Sequence, residues 1–464
     1  MSDSRQTGSL FGAKRLVSRT IGAASRASGR GGGTTLPGRV LLRLEPNAIA
    51  RLGSDLDRGV TLVSATNGKT TTAGMIAAAL NGEGREAVHN RAGSNMTWGI
   101  ATALLEQHGQ EGLFEVDEAW LRKVTEQLEP SLIVLGNLFR DQLDRYGEVE
   151  ALADEWAGMV GERTGTTRFA LNADDPMIAD LGRDADGQPR EGVVYFGVED
   201  PSQALPELQH ASDAKHCRRC GHPYAYERAF IGHLGHYSCP SCGASRPTPE
   251  VAATQVELHG MEGSTVSLRT PQGETRLELP LPGLYNVYNA LAAVTAGLEL
   301  GIELPSIVSS LEQMRAAFGR VETVAVREKD VSILLVKNPA GANEVLRTLR
   351  LEAGDADLDL WIALNDKIAD GRDVSWIWDA DFELLQGAVR HVTCAGTRAP
   401  EMALRLKYAG WPESAIAVEP EIEDSLDRAV AHAPRRLFAL PTYTALLELH
   451  KLLSSRGLAK EFWE

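Results

Sequence analysis

The apolar residues of the chain fall into two stretches in which strand-like and helix-like patterns alternate. Short apolar runs, typical of buried strands, are separated by segments with the 3.6-residue periodicity of amphipathic helices. This alternation predicts two α/β domains, each with a mainly parallel sheet covered by helices on both faces. The strands predicted for the first stretch are residues 62–64, 113–116, 132–135 and 169–171, and those for the second are 331–336, 358–364, 389–394 and 437–440.

The same pattern divides the 464 residues into three parts. We expect a basic N-terminal tail with short helices over residues 1–55, a central domain over 56–322 and a smaller C-terminal α/β domain over 323–464. The alternation is interrupted at about residues 205–250, where Pro, His, Cys and aromatic residues cluster, and this stretch is predicted to be an insertion. Further along, period-2 alternation predicts a hairpin over residues 256–279.

Composition narrows the class of protein. The chain has 43% hydrophobic and 24% charged residues, as globular proteins do. Its net charge of −16 argues against a general nucleic-acid binder, because such binding depends on basic side chains that neutralise phosphates. No apolar run approaches the roughly 20 residues that span a bilayer, and no secretory signal is recognisable. We therefore expect a cytoplasmic protein without a transmembrane segment.

The first 44 residues differ from the rest, because they hold eight Lys or Arg residues and one acidic residue. One interpretation is a partly disordered tail with a short amphipathic helix at about residues 10–21. The other is a weak attraction to an anionic membrane surface or to an anionic substrate. The sequence leaves both interpretations open.

Four of the five cysteines form two Cys-x-x-Cys pairs, Cys217 with Cys220 and Cys239 with Cys242, separated by 18 residues. Each pair can form a tight turn that offers two thiolates, and two such turns complete the tetrahedral site that Zn²⁺ prefers. Four protein ligands leave no open coordination position, so we predict a structural zinc ion and a zinc ribbon in the insertion. The fifth cysteine, Cys394, lies in a predicted strand and is expected to be a core residue.

The most informative segment joins an apolar strand at residues 60–63 to a helix that begins near Lys69. The small residues and Gly68 between them predict a tight loop whose backbone N–H groups, together with the helix dipole, point at an anion. Lys69 can contact the β- and γ-phosphates of a nucleotide, and the Thr70 hydroxyl can bind Mg²⁺. The match to the P-loop pattern is partial, because Val63 stands where a glycine is usual. The residues predicted to bind ATP here are Thr66, Asn67, Gly68, Lys69, Thr70 and Thr71.

Acidic and amide residues gather where three successive strands of the first stretch end. Glu115 stands at the end of one strand and is followed by Asp117 and Glu118, a position where a carboxylate can hold Mg²⁺ directly or through water. The segments 137–147 and 172–176 follow the next two strands in the same way. A solvated acidic helix start would explain any one of them, but three together favour a site.

These segments resemble motifs of the Mur ligase superfamily, which contains the ATP-dependent amide-forming enzymes of peptidoglycan synthesis and the folylpolyglutamate synthases. The motifs occur in the order of the family. The matching segments are residues 65–70, 137–147, 172–176, 282–290 and 319–322.

The resemblance implies a Mur ligase-type central P-loop ATPase domain and a Rossmann-like C-terminal domain with ATP between them. It implies that Asn286 and Asn289 lie near the nucleotide and that Arg320 touches its phosphates or ribose. It also implies that Thr70 and Glu115 bind magnesium.

The chain departs from the usual ligases in ways that match one branch, the MurT-type synthetase subunits of lipid II isoglutaminyl synthase. We expect no full uridine-nucleotide domain, since only about 55 residues precede the P-loop, and the predicted zinc ribbon is foreign to the standard enzymes. The usual Asp-Tyr-Ala-His signature is replaced by residues 337–343. Ala65, Gln142 and Tyr285 also stand where the ligases usually carry a glycine and two histidines. The resemblance extends to residues 365–379 and covers nearly the whole chain.

This branch implies a substrate, a partner and a reaction. The substrate would be the α-carboxylate of D-glutamate in lipid II at the membrane surface, so the cytoplasmic location would extend to the inner face of the membrane. ATP would convert the carboxylate to an acyl phosphate, with charge stabilised by Lys69, Mg²⁺ and Arg320. Ammonia from a GatD-type glutaminase, the partner in a heterodimer, would then form the amide.

The resemblance further implies that the C-terminal domain lends an aspartate to the Cys-His pair of the glutaminase, as the third member of a triad. Asp373 is the first choice and Asp370 the second, while Asp379 is also expected to cap the following helix. Trp376 and Trp378 lie in the same tract, where they would serve either a partner interface or the core.

Two other functions remain open on sequence alone. The chain could be a ligase of the Mur or folylpolyglutamate type that adds an amino acid without a partner. It could also be a P-loop ATPase whose zinc ribbon binds nucleic acid, since Lys215, Arg218 and Arg219 make the first Cys-x-x-Cys pair locally basic.

Overall fold

The computed structural model describes residues 3–27, 35–90, 94–141, 149–210, 212–314, 322–353 and 358–459. Within these ranges the chain forms two large sheets flanked by helices, and a small separate hairpin. The strands are β1 (Val60–Ser64), β2 (Ala87–His89), β3 (Glu111–Glu115), β4 (Leu132–Leu135), β5 (Arg168–Asn172), β6 (Val193–Val198), β7 (Ala225–Ile231), β8 (Leu234–Ser238), β9 (Val251–Leu258), β10 (Ser264–Thr270), β11 (Gly273–Leu279), β12 (Glu322–Val326), β13 (Lys329–Ile333), β14 (Leu358–Ala363), β15 (Val389–Ala395), β16 (Ile416–Val418) and β17 (Arg436–Pro441).

The helices alternate with these strands over most of the chain. The α-helices are Asp3–Ala27, Leu36–Leu44, Ala48–Gly53, Lys69–Gly82, Thr97–Glu106, Leu121–Leu128, Val149–Arg163, Pro176–Ala179, Leu284–Glu299, Leu304–Glu312, Pro339–Ala353, Ala399–Tyr408, Ile422–His432 and Tyr443–Ser455. Short 3₁₀ helices are Glu118–Trp120, Asp180–Gly182, Pro201–Gln203, Ser375–Trp378, Phe382–Leu385 and Glu413–Ala415. None of the helices in the described ranges combines the length and the apolarity needed to cross a bilayer.

The first sheet has the strand order β11-β10-β9-β6-β5-β4-β1-β3-β2. Neighbours from β2 to β9 are parallel, whereas β9, β10 and β11 are antiparallel. Successive residues of a strand point to opposite faces, so Leu62 and Val63 of β1 belong to two different apolar cores. β1 lies between β4 and β3, so the strands that follow it are added on both of its sides. Ligands of α/β proteins bind at such a topological switch point, beyond the carboxyl ends of the strands.

The second sheet has the order β12-β13-β17-β14-β15-β16, and only its β12–β13 pair is antiparallel. Trp361 of β14 packs into one core and its neighbour Ile362 into the other. The α/β class predicted from the sequence pattern is confirmed for both sheets.

Two elements differ from the prediction. The hairpin expected over residues 256–279 is a three-stranded antiparallel unit that begins at Val251. Its first three residues are buried without alternation because they pair in parallel with β6, which hid them from a period-2 search. The N-terminal helix Asp3–Ala27 is also longer than residues 10–21, because it packs on the helices Leu36–Leu44 and Thr97–Glu106 and gains tertiary support.

Candidate active site

The loop after β1 has the shape of an anion cradle. Gly68 adopts a φ of +92°, and a Cβ at this position would lie 2.0 Å from Asn289 Oδ1, so only glycine fits. The helix Lys69–Gly82 begins directly after it, so the positive end of the helix dipole faces the loop. Thr71, in the first turn, is buried and lines the adjoining cleft. The predicted phosphate site therefore has suitable backbone geometry.

The neighbouring strand end holds this loop in place. The amide of Asn137 accepts a hydrogen bond from Asn67 N at 2.9 Å and donates one to Asn67 O at 3.0 Å. The Thr66 hydroxyl accepts from Phe139 N at 3.0 Å. Since Asn137 and Phe139 both follow β4, the segment after this one strand fixes the loop before any ligand binds.

Lys69 is buried and paired. Its Nζ donates to Glu118 Oε2 at 2.7 Å and also to the carbonyl of Ala65. Burial alone would lower the pKa of Lys69, but the carboxylates of Glu118, Glu115 and Asp117 together outweigh burial and raise it. Burial would likewise raise the pKa of Glu118, but the cations Lys69 and Lys337, together with hydrogen bonds to the carboxylate, outweigh burial and lower that pKa. The ammonium group is thus held charged at the loop.

A hydroxyl and a carboxylate meet beside the lysine. Thr70 Oγ1 donates to Glu115 Oε2 at 2.8 Å, and Glu115 is 2% exposed at the end of β3. Its other oxygen accepts a hydrogen bond from Asn95 Nδ2 at 3.4 Å. Oxygen ligands of this kind suit Mg²⁺, so the predicted pair fits the ion.

The helix Leu284–Glu299 supplies the two predicted asparagines. Asn289 Oδ1 accepts from the Thr72 hydroxyl at 3.3 Å, and its Nδ2 donates to Asn286 Oδ1 at 3.0 Å. Asn286 in turn donates to Pro282 O at 2.8 Å. Both asparagines line the cleft next to Gly68, as the family resemblance implied for residues near a nucleotide.

A cleft with about 950 Å³ of empty space, counting its open mouth, extends from this loop between the two sheets. Its polar wall is formed by the loop and the two asparagines. Its apolar wall includes Ile231 and Leu234 at the tip of the β7–β8 hairpin, together with Leu281, Ala340 and Val345. The cleft has the size and mixed lining of a nucleotide site.

The C-terminal part reaches the loop through two residues. Lys337 Nζ donates to Thr66 O at 3.2 Å and to the carboxylate of Asp141. Asn338 exchanges hydrogen bonds with the side chain of Asn67 at 3.0 and 3.3 Å. The tract that replaces the usual ligase signature therefore brings a second cation to the phosphate loop.

A second cavity, of about 520 Å³, adjoins the first at Lys337. Asp373 is exposed there, and its Oδ1 accepts from Ser375 N at 2.8 Å, which lowers the pKa of the carboxyl. Asp370 is buried and accepts from Thr444 N at 2.7 Å, and burial raises its pKa. Asp379 lies 3.4 Å from a guanidinium nitrogen of Arg140.

The expected capping role of Asp379 is wrong, because Asp379 ends the 3₁₀ helix Ser375–Trp378 and Asp381 precedes the next one. Trp378 is 49% exposed and contacts Tyr408 edge-on, with ring centroids 5.7 Å apart. Trp376 packs against the apolar core of the second sheet. Trp376 therefore serves the core, whereas Trp378 lies at the surface.

The four paired cysteines converge on one point. Their sulfur atoms all lie within 4.8 Å of one another, with Cys217 Sγ 3.6 Å from Cys242 Sγ and Cys220 Sγ 3.4 Å from Cys239 Sγ. A tetrahedral ZnS₄ centre with bonds of about 2.3 Å needs sulfurs roughly 3.8 Å apart, so the cluster fits a metal after a small expansion. Cys394 is fully buried in β15, and burial raises its pKa to about 12, as expected of a core thiol.

The acidic residues of the motif at 172–176 bind internal partners. Asp174 is fully buried and accepts from Tyr288 Oη at 2.6 Å and from the guanidinium of Arg246. Asp175 accepts from Leu138 N at 2.8 Å and caps the short helix Pro176–Ala179. Both carboxylates are consumed by internal partners, so they position the strand ends and do not line the cleft. The predicted Arg320 lies outside the described residues.

Comparison with known proteins agrees with this geometry. A family profile described as Mur ligase middle domain matches residues 63–237, and one described as MurT ligase C-terminal matches residues 335–446. The MurT subunit of the glutamine-hydrolyzing lipid II isoglutaminyl synthase of Streptococcus pneumoniae is 32% identical over 439 residues, which are 93% of this chain and 94% of that protein. The subunit of the same name from Staphylococcus aureus is 32% identical over 435 residues, which cover 93% and 95% of the two chains.

The chain belongs to the MurT family. MurT proteins share the Mur ligase middle domain, so this chain is an ATP-dependent ligase of a family that uses Mg²⁺. Among solved structures, a pseudomurein peptide ligase type C from Methanothermus fervidus superposes with a TM-score of 0.67 at 22% identity, covering 88% of this chain and 80% of that one. MurF from Acinetobacter baumannii gives 0.63 at 18% identity, with 90% and 80% covered. Identities this low establish the fold alone.

Three features of the MurT site were missed on sequence. Lys337 stands 271 residues from Thr66, so no local pattern could pair them. Ile231 and Leu234 read as ordinary hairpin residues, and only the fold carries them to the cleft. Glu344, which is buried in the cleft wall, gave no local signal either.

Proposed function

We propose that the chain amidates the α-carboxylate of D-glutamate in lipid II to D-isoglutamine, with ATP and with ammonia from a GatD-type glutaminase. The observation that carries the proposal is one cleft that is lined by Gly68 of the phosphate loop and by Lys337 of the C-terminal part. The residues that follow Gly68, Lys69 and Thr70, are held next to this cleft by Glu118 and Glu115. The MurT relatives are named as subunits of a glutamine-hydrolyzing lipid II isoglutaminyl synthase. The reaction belongs to peptidoglycan synthesis.

ATP would lie across the cleft. The backbone of residues 66–70 would hold its phosphates, while Asn286 and Asn289 and the apolar wall would contact the nucleoside. Thr70 and Glu115 would hold Mg²⁺, which when bound draws charge from the phosphate oxygens. Lys69 would leave part of its contact with Glu118 to reach the γ-phosphate.

The reaction proceeds in two steps. A carboxylate oxygen of the substrate attacks the γ-phosphorus, ADP leaves, and an acyl phosphate forms. Ammonia then attacks the acyl carbon, loses a proton, and displaces inorganic phosphate. Lys69 and Lys337 would oppose the charge on the transferring group in both steps, because fixed cations in a desolvated site stabilise developing negative charge.

The chain offers a carboxylate for a glutaminase partner. Asp373 is exposed, its lowered pKa keeps it ionised, and its second oxygen can accept from an imidazole. Asp370 is buried and held by Thr444, so it suits the role less well. We propose Asp373 as the residue that would orient the partner's histidine.

Exposed apolar residues near Asp373 support a partner surface. Trp378 and Tyr408 form an aromatic pair that is 49% and 71% exposed, and Ile368 is 74% exposed. Aromatic residues are enriched where proteins bind each other. This surface would receive the glutaminase, so the ammonia it releases would travel toward Lys337 and the acyl phosphate.

The four clustered cysteines would hold a structural zinc ion. Arg219 of this ribbon binds Asp180 at 2.9 Å, and Arg218 binds Asp154 at 2.7 Å. Two of the three basic side chains that made a nucleic-acid site conceivable, Arg218 and Arg219, are thus paired with carboxylates of the central part. This pairing favours a structural ribbon over a nucleic-acid reader.

The test is incubation of lipid II with the purified chain, Mg-ATP and one nitrogen source at a time, scored by mass spectrometry. Amidation lowers the mass by about one dalton, and we expect it with ammonium chloride and not with glutamine unless the glutaminase is added. A larger mass gain with amino acids and no amidation would show a conventional ligase and contradict the proposal.

A further inference from the structure

The N-terminal helix Asp3–Ala27 carries an outward apolar face. The large residues Leu10, Leu16, Val17 and Ile21 are 61%, 67%, 48% and 37% exposed. Leu10, Val17 and Ile21 follow each other at seven- and four-residue intervals, so they form one stripe on the helix, with Leu16 beside it. At 1.5 Å per residue the stripe is roughly 16 Å long.

The adjoining face, about 100° around the helix from the stripe, fixes the orientation of this helix. Phe11 and Ser18 are buried, and the Phe11 ring lies 3.9 Å from the guanidinium carbon of Arg51. Gly22 lets the helix approach closely, since a Cβ there would lie 2.5 Å from a ring carbon of Pro37. The apolar stripe therefore points to solvent because the adjoining face is already used.

Charge is arranged around the stripe and not on it. Between Leu10 and Ser25 the exposed positions hold only aliphatic and small residues and one threonine, and the charged residues Lys14, Arg15 and Arg19 are half-buried along its edges. Residues 1–44 hold eight basic residues and one acidic residue in a chain of net charge −16. Lys14 binds Glu45 at 3.0 Å and Arg19 donates to Leu105 O at 2.9 Å, so the attraction to anions depends on the excess of basic residues in this part of the chain. Such an excess beside an apolar helix face complements an anionic lipid surface.

We propose that this helix docks the protein on the surface of an anionic membrane, lying in the plane of the interface. The stripe lacks the Trp, Tyr and Arg residues that usually dominate protein–protein interfaces, which favours lipid over a partner protein. The inference rests on the proposed function for its purpose, because docking would bring the cleft to a lipid-linked substrate. The exposed apolar stripe of the helix favours docking whatever the substrate of the cleft is.

The test is co-sedimentation of the full chain with vesicles of equal parts phosphatidylglycerol and phosphatidylcholine, and with vesicles of phosphatidylcholine alone. We expect binding to the anionic vesicles that weakens as salt is raised. The double variant Leu16→Asp/Val17→Asp should lower the partition coefficient by about tenfold or more, because two apolar contacts are replaced by anionic groups. Leu351→Asp, which changes a 52% exposed leucine on another helix, should bind as the unmodified chain does.

Equal vesicle binding by the double variant and the unmodified chain would overturn the proposal. Unchanged vesicle binding with loss of complex formation with the glutaminase in size-exclusion chromatography would assign the stripe to the partner and also overturn it. Amidation of a water-soluble, lipid-free analogue separates the two proposals. The double variant should amidate it normally, whereas failure of the unmodified chain to do so would count against the proposed function and leave vesicle binding as an independent result.

Discussion

At the scale of single residues, the site depends on charges that are buried and already paired. Lys69 lies between Glu118 and the carbonyl of Ala65, so its charge is held at the loop before a nucleotide arrives and only part of its contact with Glu118 has to open. Fixed dipoles and charges of this kind need little reorganisation during reaction, which is where electrostatic catalysis gains most. Removal of either Lys69 or Glu118 would leave the other charge buried without a partner, which would destabilise the folded protein.

Replacing Lys69 with Ala should lower ammonium-dependent amidation by about a thousandfold, because the cation at the phosphates is lost. The circular dichroism spectrum should keep its native form, since two cores flank the loop and neither uses the lysine. The measurement is the amidation rate at saturating ATP. Lys123→Ala, at an exposed site, is the control and should be fully active. Full activity of Lys69→Ala would rule out the P-loop assignment.

Glu118→Gln should change how stability depends on pH. The folded pKa of Glu118 lies below the unfolded value of about 4.3, so its stabilisation is fully present above that value and is lost as the pH falls through the folded pKa. The variant should lose about 3 kcal/mol at neutral pH and respond less to acid.

Urea unfolding at several pH values between neutral and acid measures this effect. Glu126→Gln, in an exposed pair with Arg122, should change the free energy of unfolding by less than about 1 kcal/mol. An unaltered acid slope in Glu118→Gln would show that Glu118 does not carry the buried charge.

Asp373→Asn should separate the two halves of the reaction. With the glutaminase present, glutamine-dependent amidation should fall by about a hundredfold or more, because the amide cannot hold the imidazole in its active tautomer. Ammonium-dependent amidation should stay unchanged. Asp424→Asn, at an exposed position far along the chain, is the matched control. Loss of both activities would place Asp373 in the synthetase site, beside Lys337 in the second cavity.

At the scale of elements, the features predicted best are those that a single continuous segment of the chain forms. The strand, loop and helix around Gly68 and both Cys-x-x-Cys pairs were predicted from local spacing alone. The N-terminal helix was predicted too short, because its length depends on the helices it packs against. The first residues of β9 were missed because they are buried on both faces.

The insertion that carries the four clustered cysteines shows how one element serves another. Its β7–β8 hairpin places Ile231 and Leu234 in the wall of the nucleotide cleft, and Phe230 O accepts a hydrogen bond from Arg347 of the C-terminal part at 2.7 Å. The four cysteines flank this hairpin, two before β7 and two after β8, and so lie at its base. A structural metal can in this way set the shape of the cleft.

Removing the metal with a chelator should therefore weaken ATP binding by about tenfold, as expected when roughly 1.4 kcal/mol of apolar contact is lost. Calorimetric titration of ATP gives the affinity, and native mass spectrometry confirms that the metal has left. Cys220→Ser should behave like the stripped protein, whereas Cys394→Ala should keep its metal. Unchanged ATP affinity in the metal-free chain would show that the ribbon does not shape the cleft.

At the scale of the whole molecule, the proposed reaction depends on a cleft that is lined by residues of both α/β parts. Lys337 and Asn338 reach from the second part to Thr66 and Asn67 of the first. Contacts between residues 271 positions apart produce no local sequence pattern. The family resemblance therefore predicted a site between two domains, and the structure identified the residues of the second part that contact the loop. The role of Arg320 stays a prediction, since it lies outside the described residues.

The central claim is that this chain itself forms an acyl phosphate and passes the acyl group to ammonia. The most direct measurement uses substrate with both oxygens of the glutamate α-carboxylate replaced by ¹⁸O, together with Mg-ATP and ammonium chloride and without the glutaminase. We expect one ¹⁸O in the inorganic phosphate for each amide formed, since the oxygen that attacks ATP leaves with the phosphate. Amide formation with unlabelled phosphate, or ATP hydrolysis without amide, would contradict the account.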